Sequence, residues 1–345
     1  MRLRAGWALA ALLLLLAACG RPALHQEESY VFGTRVEVTV AGLDEGHARQ
    51  ATAAVLAEFD RLHRMLHAWQ PSAVTALNEA IAAGHPAAVP AELADILRDA
   101  QAITRAGDRL FDPGVGQLVR LWGFHADEFV ARLPEPAAID AWLQSRPSIL
   151  DLSIDDQTVS SVNRDVAIDL GGYAKGYALD RAAGLLRQQG VANALINIGG
   201  NVMALGSENG VPWRVGIRHP RTAGHLATLE LRDGEAIGTS GDYQRYFEVG
   251  GRRYSHLLDP RRGRPAEGTQ AVSILLPPGP RAGTLSDAAS KPLFIAGRGQ
   301  IAALAERLGV TQVLRVDADG KIEVSAPMRA RLQFLGENPP LEELR

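Results

Sequence analysis

The segment Asp169–Gly176 combines residue types that favour the binding of a phosphate group. It contains a carboxylate, the adjacent glycines Gly171 and Gly172, and Lys175, where a predicted strand leads into a predicted helix. Adjacent glycines let the backbone approach a ligand closely, and the free N–H groups of a helix N-terminus favour an anion. A cation in the first helical turn is disfavoured by the helix dipole unless an anion lies nearby. The segment therefore predicts either a phosphate site or a plain strand-to-helix connection whose lysine points to solvent.

His256 has more polar neighbours than the other histidines of the chain. Ser255 precedes it, Asp259 follows three residues later, and the hydroxyl-rich segment Thr239–Tyr243 lies upstream. Histidine is the side chain most often used as a general base, and Asp259 could orient its ring. A histidine between apolar strand residues is more often structural, and that alternative stays open here.

A third polar segment begins a predicted helix that is otherwise apolar. In Ser286–Lys291, the side chains of Asp287, Ser290 and Lys291 share one helix face at spacings of i, i+3 and i+4. Only three of the 36 basic residues are lysines, and Lys175 and Lys291 each lie inside one of these polar segments. Asp287 and Lys291 form either a surface ion pair or part of a site for a hard cation with oxygen ligands.

Composition excludes several classes of protein. The 345-residue chain carries 36 basic and 39 acidic residues, for a formal net charge of −3, which is not the basic balance of a nucleic-acid binder. Cys19 is the only cysteine, which excludes a disulfide within the chain and a cysteine-based zinc site. With 46% apolar residues, the chain can bury one large core or two smaller ones.

The N-terminus resembles a bacterial lipoprotein signal. Two arginines precede the apolar run Trp7–Ala18, which as a helix would be about 18 Å long, short of the roughly 30 Å of a bilayer core. Cys19 follows at the lipidation position, although an ordinary signal with a chance cysteine is the alternative. We therefore predict a signal peptide over 1–18, a tether over 19–29 and a lipid anchor at Cys19. The predicted location is a membrane facing the periplasm of a Gram-negative bacterium, inner or outer.

Hydrophobic periodicity and turn residues predict an α+β fold with one or two subdomains. Alternation predicts strands over 31–40 and 194–198, short strands over 151–170 and 213–276, and a hairpin of 313–316 with 321–324. Helical spacing predicts helices over 44–67, 91–106, 113–124, 137–144, 173–189, 282–296 and 300–308, with an interruption of the sixth at Pro292. The predicted domain spans 30–330 and is followed by a tail over 331–345.

Seven motifs, in the same order along the chain, together resemble the FAD:protein FMN transferase family, the ApbE-type flavin transferases. The motifs are Phe32–Thr34, Leu110–Pro113 with Leu121–Phe124, Asp169–Gly176, Asn197–Gly200, Thr239–Tyr243, Tyr254–Pro265, and the segment from Asp287 onward. The resemblance covers about residues 30–300. It implies the ApbE-like architecture of two subdomains, with mixed sheets and flanking helices.

The resemblance implies an enzyme that binds FAD, cleaves its pyrophosphate, transfers FMN to a threonine or serine hydroxyl of a membrane redox protein, and releases AMP. A displacement at a pyrophosphate requires cations and N–H groups to stabilise the charge, and a hydroxyl nucleophile requires a base. Two alternatives remain: an FAD pyrophosphatase, in which water replaces the hydroxyl, and a non-catalytic flavin-binding lipoprotein.

The resemblance also implies roles for individual residues. The implied FAD contacts are Phe32, Trp69, Leu110, Phe111, Asp112, Asp169, Lys175 and Leu258. Phe32 and Trp69 would line the isoalloxazine, and Lys175 would lie near phosphate. His256 is the candidate general base, with Asp259 as its orienter.

A magnesium site is implied as well, with one departure from the family pattern. The implied ligands are the Gly172 carbonyl and the Asp287 carboxylate. The position of a third ligand, a threonine in the family, holds Lys291 here. Because an ammonium group cannot bind a metal ion, either Ser290 or water substitutes, or the Lys291 charge replaces part of the charge of the metal.

Overall fold

The structure is a computed structural model that describes residues 24–126, 130–336 and 340–344. Helices and strands alternate irregularly along the chain, which confirms the predicted α+β class. The predicted signal peptide and Cys19 lie outside the described residues. Within those residues, none of the helices combines the length and the apolar content that crossing a membrane requires.

The helices and strands have the following bounds. The helices are α1 (Glu45–Leu66), α2 (Ala73–Ala83), α3 (Ala91–Ala106), α4 (Gly116–Leu121), α5 (Pro136–Ser145), α6 (Ala174–Gln188), α7 (Ala282–Ala288), α8 (Ser290–Ala296), α9 (Ile301–Arg307) and α10 (Ala326–Arg329). The strands are β1 (Leu24–Val31), β2 (Thr34–Ala41), β3 (Ala87–Ala88), β4 (Leu152–Asp155), β5 (Thr158–Ser161), β6 (Asn193–Ile198), β7 (Asn201–Leu205), β8 (Trp213–Arg218), β9 (His225–Leu231), β10 (Ala236–Gly241), β11 (Tyr246–Val249), β12 (Arg252–Ser255), β13 (Leu258–Asp259), β14 (Arg264–Pro265), β15 (Thr269–Leu276), β16 (Gln312–Asp317), β17 (Ile322–Val324), β18 (Leu332–Phe334) and β19 (Leu341–Glu343).

A nine-stranded sheet in the order β1-β2-β6-β7-β10-β15-β16-β17-β19 organises the chain. Its neighbouring strands are antiparallel except for β17 and β19, which are parallel. On one face, side chains such as Val38, Ile196 and Ile274 pack with the helices into the larger core. On the other face, side chains such as Ile237 and Leu314 pack into a second core with the small sheet β8-β9-β18. The sheet is therefore buried on both faces.

The elements that the sequence predicts best are those with one clear apolar stripe. In α1, the residues Val55, Phe59 and Leu62 are fully buried, and the Asp44 carboxylate accepts a hydrogen bond of 3.1 Å from the His47 N–H at the helix N-terminus. Helix α3 has the predicted bounds.

Four features differ from the sequence predictions. Helix α2 was not predicted. The break between α7 and α8 lies at Ala289 and not at Pro292, because Pro292 is the third residue of α8, where an N–H has no helical acceptor to lose. Strand β1 takes up the predicted tether from Leu24 onward. Strands β18 and β19 fall in the predicted tail and pair with β9 and β17, so that segment belongs to the fold.

Helices α6 and α7 approach closely because glycines lie between them. A Cβ atom on Gly176 would come 2.4 Å from the Gly283 carbonyl oxygen and 2.7 Å from the Asp287 Cβ. The Asp180 carboxylate of α6 accepts hydrogen bonds from the N–H groups of Gly283 and Thr284, at 2.7 and 2.8 Å, and so caps the N-terminus of α7. These contacts fix α7, and with it Asp287, against the first turn of α6.

The replacement Gly176→Ala tests this packing. We expect it to lower the free energy of unfolding by about 1–3 kcal/mol, because the added methyl group meets main-chain atoms that cannot yield. Gly184→Ala on the same helix is the matched control, since no atom lies within 4 Å of the Cβ that it adds. The control should instead stabilise the protein by about 0.5–1 kcal/mol, and urea unfolding measures both. Equal effects of the two variants would contradict the packing argument.

Candidate functional site

Asp287, on α7, is the centre of a group of charged residues from three helices, with Lys175 on α6 and Lys291 on α8. Its side chain is fully buried, and Oδ2 accepts a hydrogen bond of 3.1 Å from the Gly176 N–H. Lys175 Nζ lies 3.6 Å from the same oxygen. Lys291 Nζ contacts Oδ1 and donates a hydrogen bond of 2.8 Å to the Asp287 main-chain carbonyl. Two ammonium groups therefore meet at one buried carboxylate.

These contacts keep the group charged. Burial alone would raise the pKa of the Asp287 carboxyl, but the two lysines and the Gly176 N–H hold that pKa below its ordinary value. Burial lowers the pKa of the Lys291 ammonium to about 8, and the attraction of Asp287 acts against this change. With two cations and one anion, the group carries one net positive charge.

The predicted metal ligand Ser290 lies beside this group but takes part in a different hydrogen-bond chain. Its Oγ donates a hydrogen bond of 2.7 Å to the Asp287 carbonyl and shares one of 2.7 Å with Ser240 Oγ on β10. Ser240 and Ser290 are both buried, so this chain ties α8 to the sheet. The Ser290 hydroxyl is thus engaged with the backbone and the sheet.

The two adjacent glycines bring the loop before α6 to the same place. A Cβ atom on Gly172 would lie 3.4 Å from Lys291 Cε and 3.4 Å from Phe111 Cε2, so the Lys291 side chain and the Phe111 ring pass close to the turn. Lys175 Nζ donates a hydrogen bond of 3.1 Å to the Gly171 carbonyl. The structure thus unites four residues that the sequence singled out: Phe111, Gly172, Lys175 and Lys291.

Asp169 lies at the start of this loop. The backbone of the preceding residue, Ile168, is held by an amide side chain that sequence reasoning missed. Asn78 of α2 donates a hydrogen bond of 2.9 Å to the Ile168 carbonyl and accepts one of 2.6 Å from the Ile168 N–H. Asp169 Oδ1 accepts a hydrogen bond of 2.8 Å from the Gly171 N–H. Burial raises the pKa of the Asp169 carboxyl, against this hydrogen bond and the charges of Arg245 and Lys175.

His256 is held in the tautomer that a general base needs. Its Nδ1 is 3.1 Å from the Arg245 carbonyl oxygen, which can only accept, so Nδ1 carries the hydrogen and Nε2 carries the lone pair. Burial and the positive charges of Arg245, Lys175 and Lys291 together lower the pKa of His256 to about 3. The imidazole is therefore neutral, and it lies in the electric field of the two lysines.

The structure gives Asp259 a different role from the predicted one. Its carboxylate accepts hydrogen bonds of 2.9 Å from the Arg261 guanidinium and from the Arg261 main-chain N–H. Within the described part of the chain it makes no hydrogen bond to His256, whose ring is oriented by the Arg245 carbonyl instead.

The Asp112 carboxylate is likewise occupied within the protein. Oδ1 accepts hydrogen bonds of 2.8 Å from the N–H groups of Gly114 and Ile149, and Oδ2 accepts one from the Ser148 hydroxyl. Burial raises the pKa of the Asp112 carboxyl against these bonds. Leu110 beside it is also buried. Asp112 thus clamps two loops together, and its carboxylate is engaged within the protein.

Phe32 and Trp69 belong to an aromatic row that includes His63 of α1 and His67, the residue that follows this helix. Ring centroids are 5.7 Å apart for Phe32 and His63, 4.9 Å for His63 and His67, and 5.3 Å for His67 and Trp69. Sequence reasoning did not single out His63 or His67. The two histidines are four residues apart, which is about one helical turn. This spacing was the signal that could have placed both on the same side of the helix, where Phe32 packs.

Phe32 has an unusual backbone conformation. It and Gly33 form the two-residue turn between β1 and β2, with φ values of 57° and 68°. Such a turn needs positive φ at both positions, and a bulky residue there costs about 1 kcal/mol or more. The turn holds the Phe32 ring against Phe59 and His63.

Leu258, a further predicted contact, lies in a separate aromatic cluster with Trp122, Phe124 and Phe247.

The arrangement around Asp287 does not fit a magnesium ion. Magnesium takes about six oxygen ligands, but Asp287 Oδ1 and its carbonyl accept from Lys291, while Oδ2 faces Lys175 and the Gly176 N–H. The Ser290 hydroxyl is engaged as described. In residues 24–126, 130–336 and 340–344, no three His, Cys, Asp or Glu side chains converge as a metal site would require.

Comparison with known proteins agrees with this reading of the fold. Crystal structures of an ApbE protein from Thermotoga maritima and of the flavinyl transferase ApbE from Pseudomonas stutzeri resemble the chain with TM-scores of 0.82 and 0.75. The first is 31% identical and the match covers 90% of this chain and 99% of that one; the second is 29% identical, with 88% and 93% covered.

Sequence comparison gives the same result. A protein of Rhodobacter capsulatus named FAD:protein FMN transferase is 43% identical over 334 residues, which is 96% of this chain and 63% of the relative. A protein of the same name from Salmonella typhimurium is 33% identical over 265 residues, with 74% and 75% covered. The chain therefore spans somewhat less than two thirds of the first of these relatives. Because the ApbE family pattern also matches residues 32–314, which include every part of the site, the chain belongs to the ApbE family.

Proposed function

We propose that the protein is an FAD:protein FMN transferase, which attaches FMN through a phosphoester bond to a serine or threonine of another protein and releases AMP. The observation that carries the proposal is the site itself. Two ammonium groups, from Lys175 and Lys291, lie at a glycine turn together with a neutral histidine whose Nε2 can accept a proton. Relatives at 43% and 33% identity that bear this name support it.

The chemistry matches what these residues offer. In the proposed reaction the hydroxyl oxygen of the acceptor attacks the phosphorus of the FMN half, and the bond from that phosphorus to the AMP oxygen breaks. His256 Nε2 takes the hydroxyl proton, and the departing AMP phosphate carries the displaced electron pair. Lys175 and Lys291 stabilise the negative charge that grows on the pyrophosphate oxygens, as preorganised cations do in a site shielded from water.

We further propose where the enzyme works. The lipoprotein-like N-terminus, with Cys19 at the lipidation position, supports an anchor on a membrane that faces the periplasm. The acceptor would then be a membrane redox protein that carries a flavinylation motif with Ser or Thr. The near-neutral balance of 36 basic and 39 acidic residues gives no support for a nucleic-acid partner.

The first experiment measures AMP release from FAD, with and without an acceptor domain that carries such a motif. We expect AMP release that depends on the acceptor, and a fluorescent flavin band at the size of the acceptor on a denaturing gel. AMP and free FMN without any acceptor labelling would identify an FAD pyrophosphatase instead. FAD binding with no AMP under any condition would identify a non-catalytic flavin-binding protein.

Replacing His256 tests its role as the base. His256→Gln should lower the rate of transfer about 100-fold or more while FAD affinity changes little, because the base acts on the acceptor hydroxyl and not on FAD binding. His85→Gln is the matched control, since His85 is an exposed histidine after α2 whose main chain alone is bonded to the helix. A loss of FAD binding in His256→Gln that matches the loss of rate would contradict the role as base.

The pH dependence of kcat/KM provides a separate test, because it reports groups of the free enzyme. His256 has a pKa of about 3 and is already deprotonated at higher pH, so it should give no acid limb between pH 5 and 8. Arg245→Gln keeps the carbonyl that holds Nδ1 but removes a charge, and should shift the His256 limb toward higher pH. A wild-type inflection near the ordinary histidine value of about 6.5, absent from His256→Gln, would contradict this assignment.

A further inference from the structure

Lys291 occupies the place at Asp287 that a metal ion would need. Asp287 presents three acceptor atoms, and Lys291 Nζ contacts two of them, Oδ1 and the main-chain oxygen. The third, Oδ2, accepts from the Gly176 N–H and faces Lys175. The Asp287 oxygens that could bind a metal ion are therefore already occupied by the ammonium group of Lys291.

The rest of the Lys291 side chain places this ammonium group where a phosphate ligand would lie. Its aliphatic part passes the glycine turn, with Cε 3.4 Å from a Cβ built on Gly172, and only 13% of the side chain is exposed. An ammonium group has three N–H donors, and two of them are directed at Asp287. The third donor is available for an oxygen at the glycine turn.

Burial makes this arrangement hard for a metal ion to displace. A divalent ion at Asp287 would have to push the Lys291 ammonium away from the only carboxylate that it contacts within the described residues. The displaced ammonium would lose this carboxylate while it stays largely buried, which is costly for a charged group. Lys175, on the other side of the carboxylate, would repel the incoming metal ion as well.

We propose that the Lys291 ammonium takes the place of a divalent metal ion in this site, so that the pyrophosphate of FAD is bound and cleaved without magnesium. The inference rests on the proposed function for its substrate, but its claim about metal binding stands on the geometry alone. Lys291 and Lys175 then provide the positive charge, and Asp287 holds the Lys291 ammonium in position.

The first test measures metal binding without any turnover. Mn²⁺, a spectroscopic substitute for Mg²⁺, is titrated into the mature protein and followed by electron paramagnetic resonance of the free ion. We expect no site in the wild-type protein below millimolar concentration. Lys291→Thr should gain one site, because it frees both Asp287 acceptors and adds a hydroxyl. Lys321→Thr, on the exposed turn before β17, is the matched control and should bind no Mn²⁺. A single tight site in the wild-type protein would overturn the proposal.

The second test measures AMP release from FAD with the acceptor domain present, in EDTA or in Mg²⁺. The wild-type rate should agree within about twofold between the two conditions. Lys291→Thr should lose about 100-fold in EDTA, the usual cost of removing one such donor, and regain much of the rate with Mg²⁺. Lys291→Met removes the charge without adding a ligand, so it should be slow in both conditions. A wild-type rate that collapses in EDTA and returns with Mg²⁺ would overturn the proposal.

The two tests fail in different ways if the proposed function is wrong. A protein that only binds flavin would release no AMP in any variant, and a pyrophosphatase would release AMP without labelling the acceptor. In both cases the Mn²⁺ titration still decides whether Lys291 excludes a metal ion. Thermal unfolding of each variant shows whether it is folded, and the wild-type titration needs no variant. If Lys291→Thr is folded and still binds no Mn²⁺, Lys291 is not what closes the site, and the proposal is wrong.

Discussion

The carboxylate of Asp287 is buried completely, and an isolated charge in such a place would be severely destabilising. It is tolerated because donors reach it from both sides: the Gly176 N–H and Lys175 from α6, and Lys291 one helical turn further along the chain. Each of these groups has to be in place at the same time. The close packing of α6 on α7 is therefore a condition for the site, and the glycines at the crossing are what permit it.

The same requirement explains features that look unrelated to chemistry. Asp180 caps α7 from α6, which fixes how far α7 can slide along its neighbour. The Ser240–Ser290 hydrogen bond attaches the start of α8 to β10 and so fixes the other end of the Asp287 turn. Asn78 holds the backbone of Ile168 and thereby the loop that leads into α6. Polar side chains on three different elements thus hold Asp287 and its two lysines in position.

The sequence predicted the elements and the residue types but not the contacts between them. Helices α1 and α3 follow from apolar spacing, because each has one stripe against a core. Helix α2 is short and rich in alanine and was missed, although its buried residues Val74, Leu77 and Ile81 have helical spacing and Ser72 and Thr75 form a capping box at its start. Asp287 and Lys291 could be paired from their spacing. The bond from Gly176 to Asp287 joins residues 111 positions apart, and only the packing of the folded chain reveals it.

In the proposed reaction, the cations of the site act on His256 as well as on the substrate. Together with burial, the charges of Arg245 and the two lysines lower the pKa of His256 and keep its Nε2 free of a proton. A pyrophosphate bound at the lysines would cancel much of that positive charge, so the imidazole would become a stronger base in the complex. In the proposed reaction, His256 is thus unprotonated before FAD binds. Its affinity for a proton rises once FAD is bound, when the acceptor hydroxyl must lose its proton. One arrangement of charges therefore serves both the electrophile and the nucleophile.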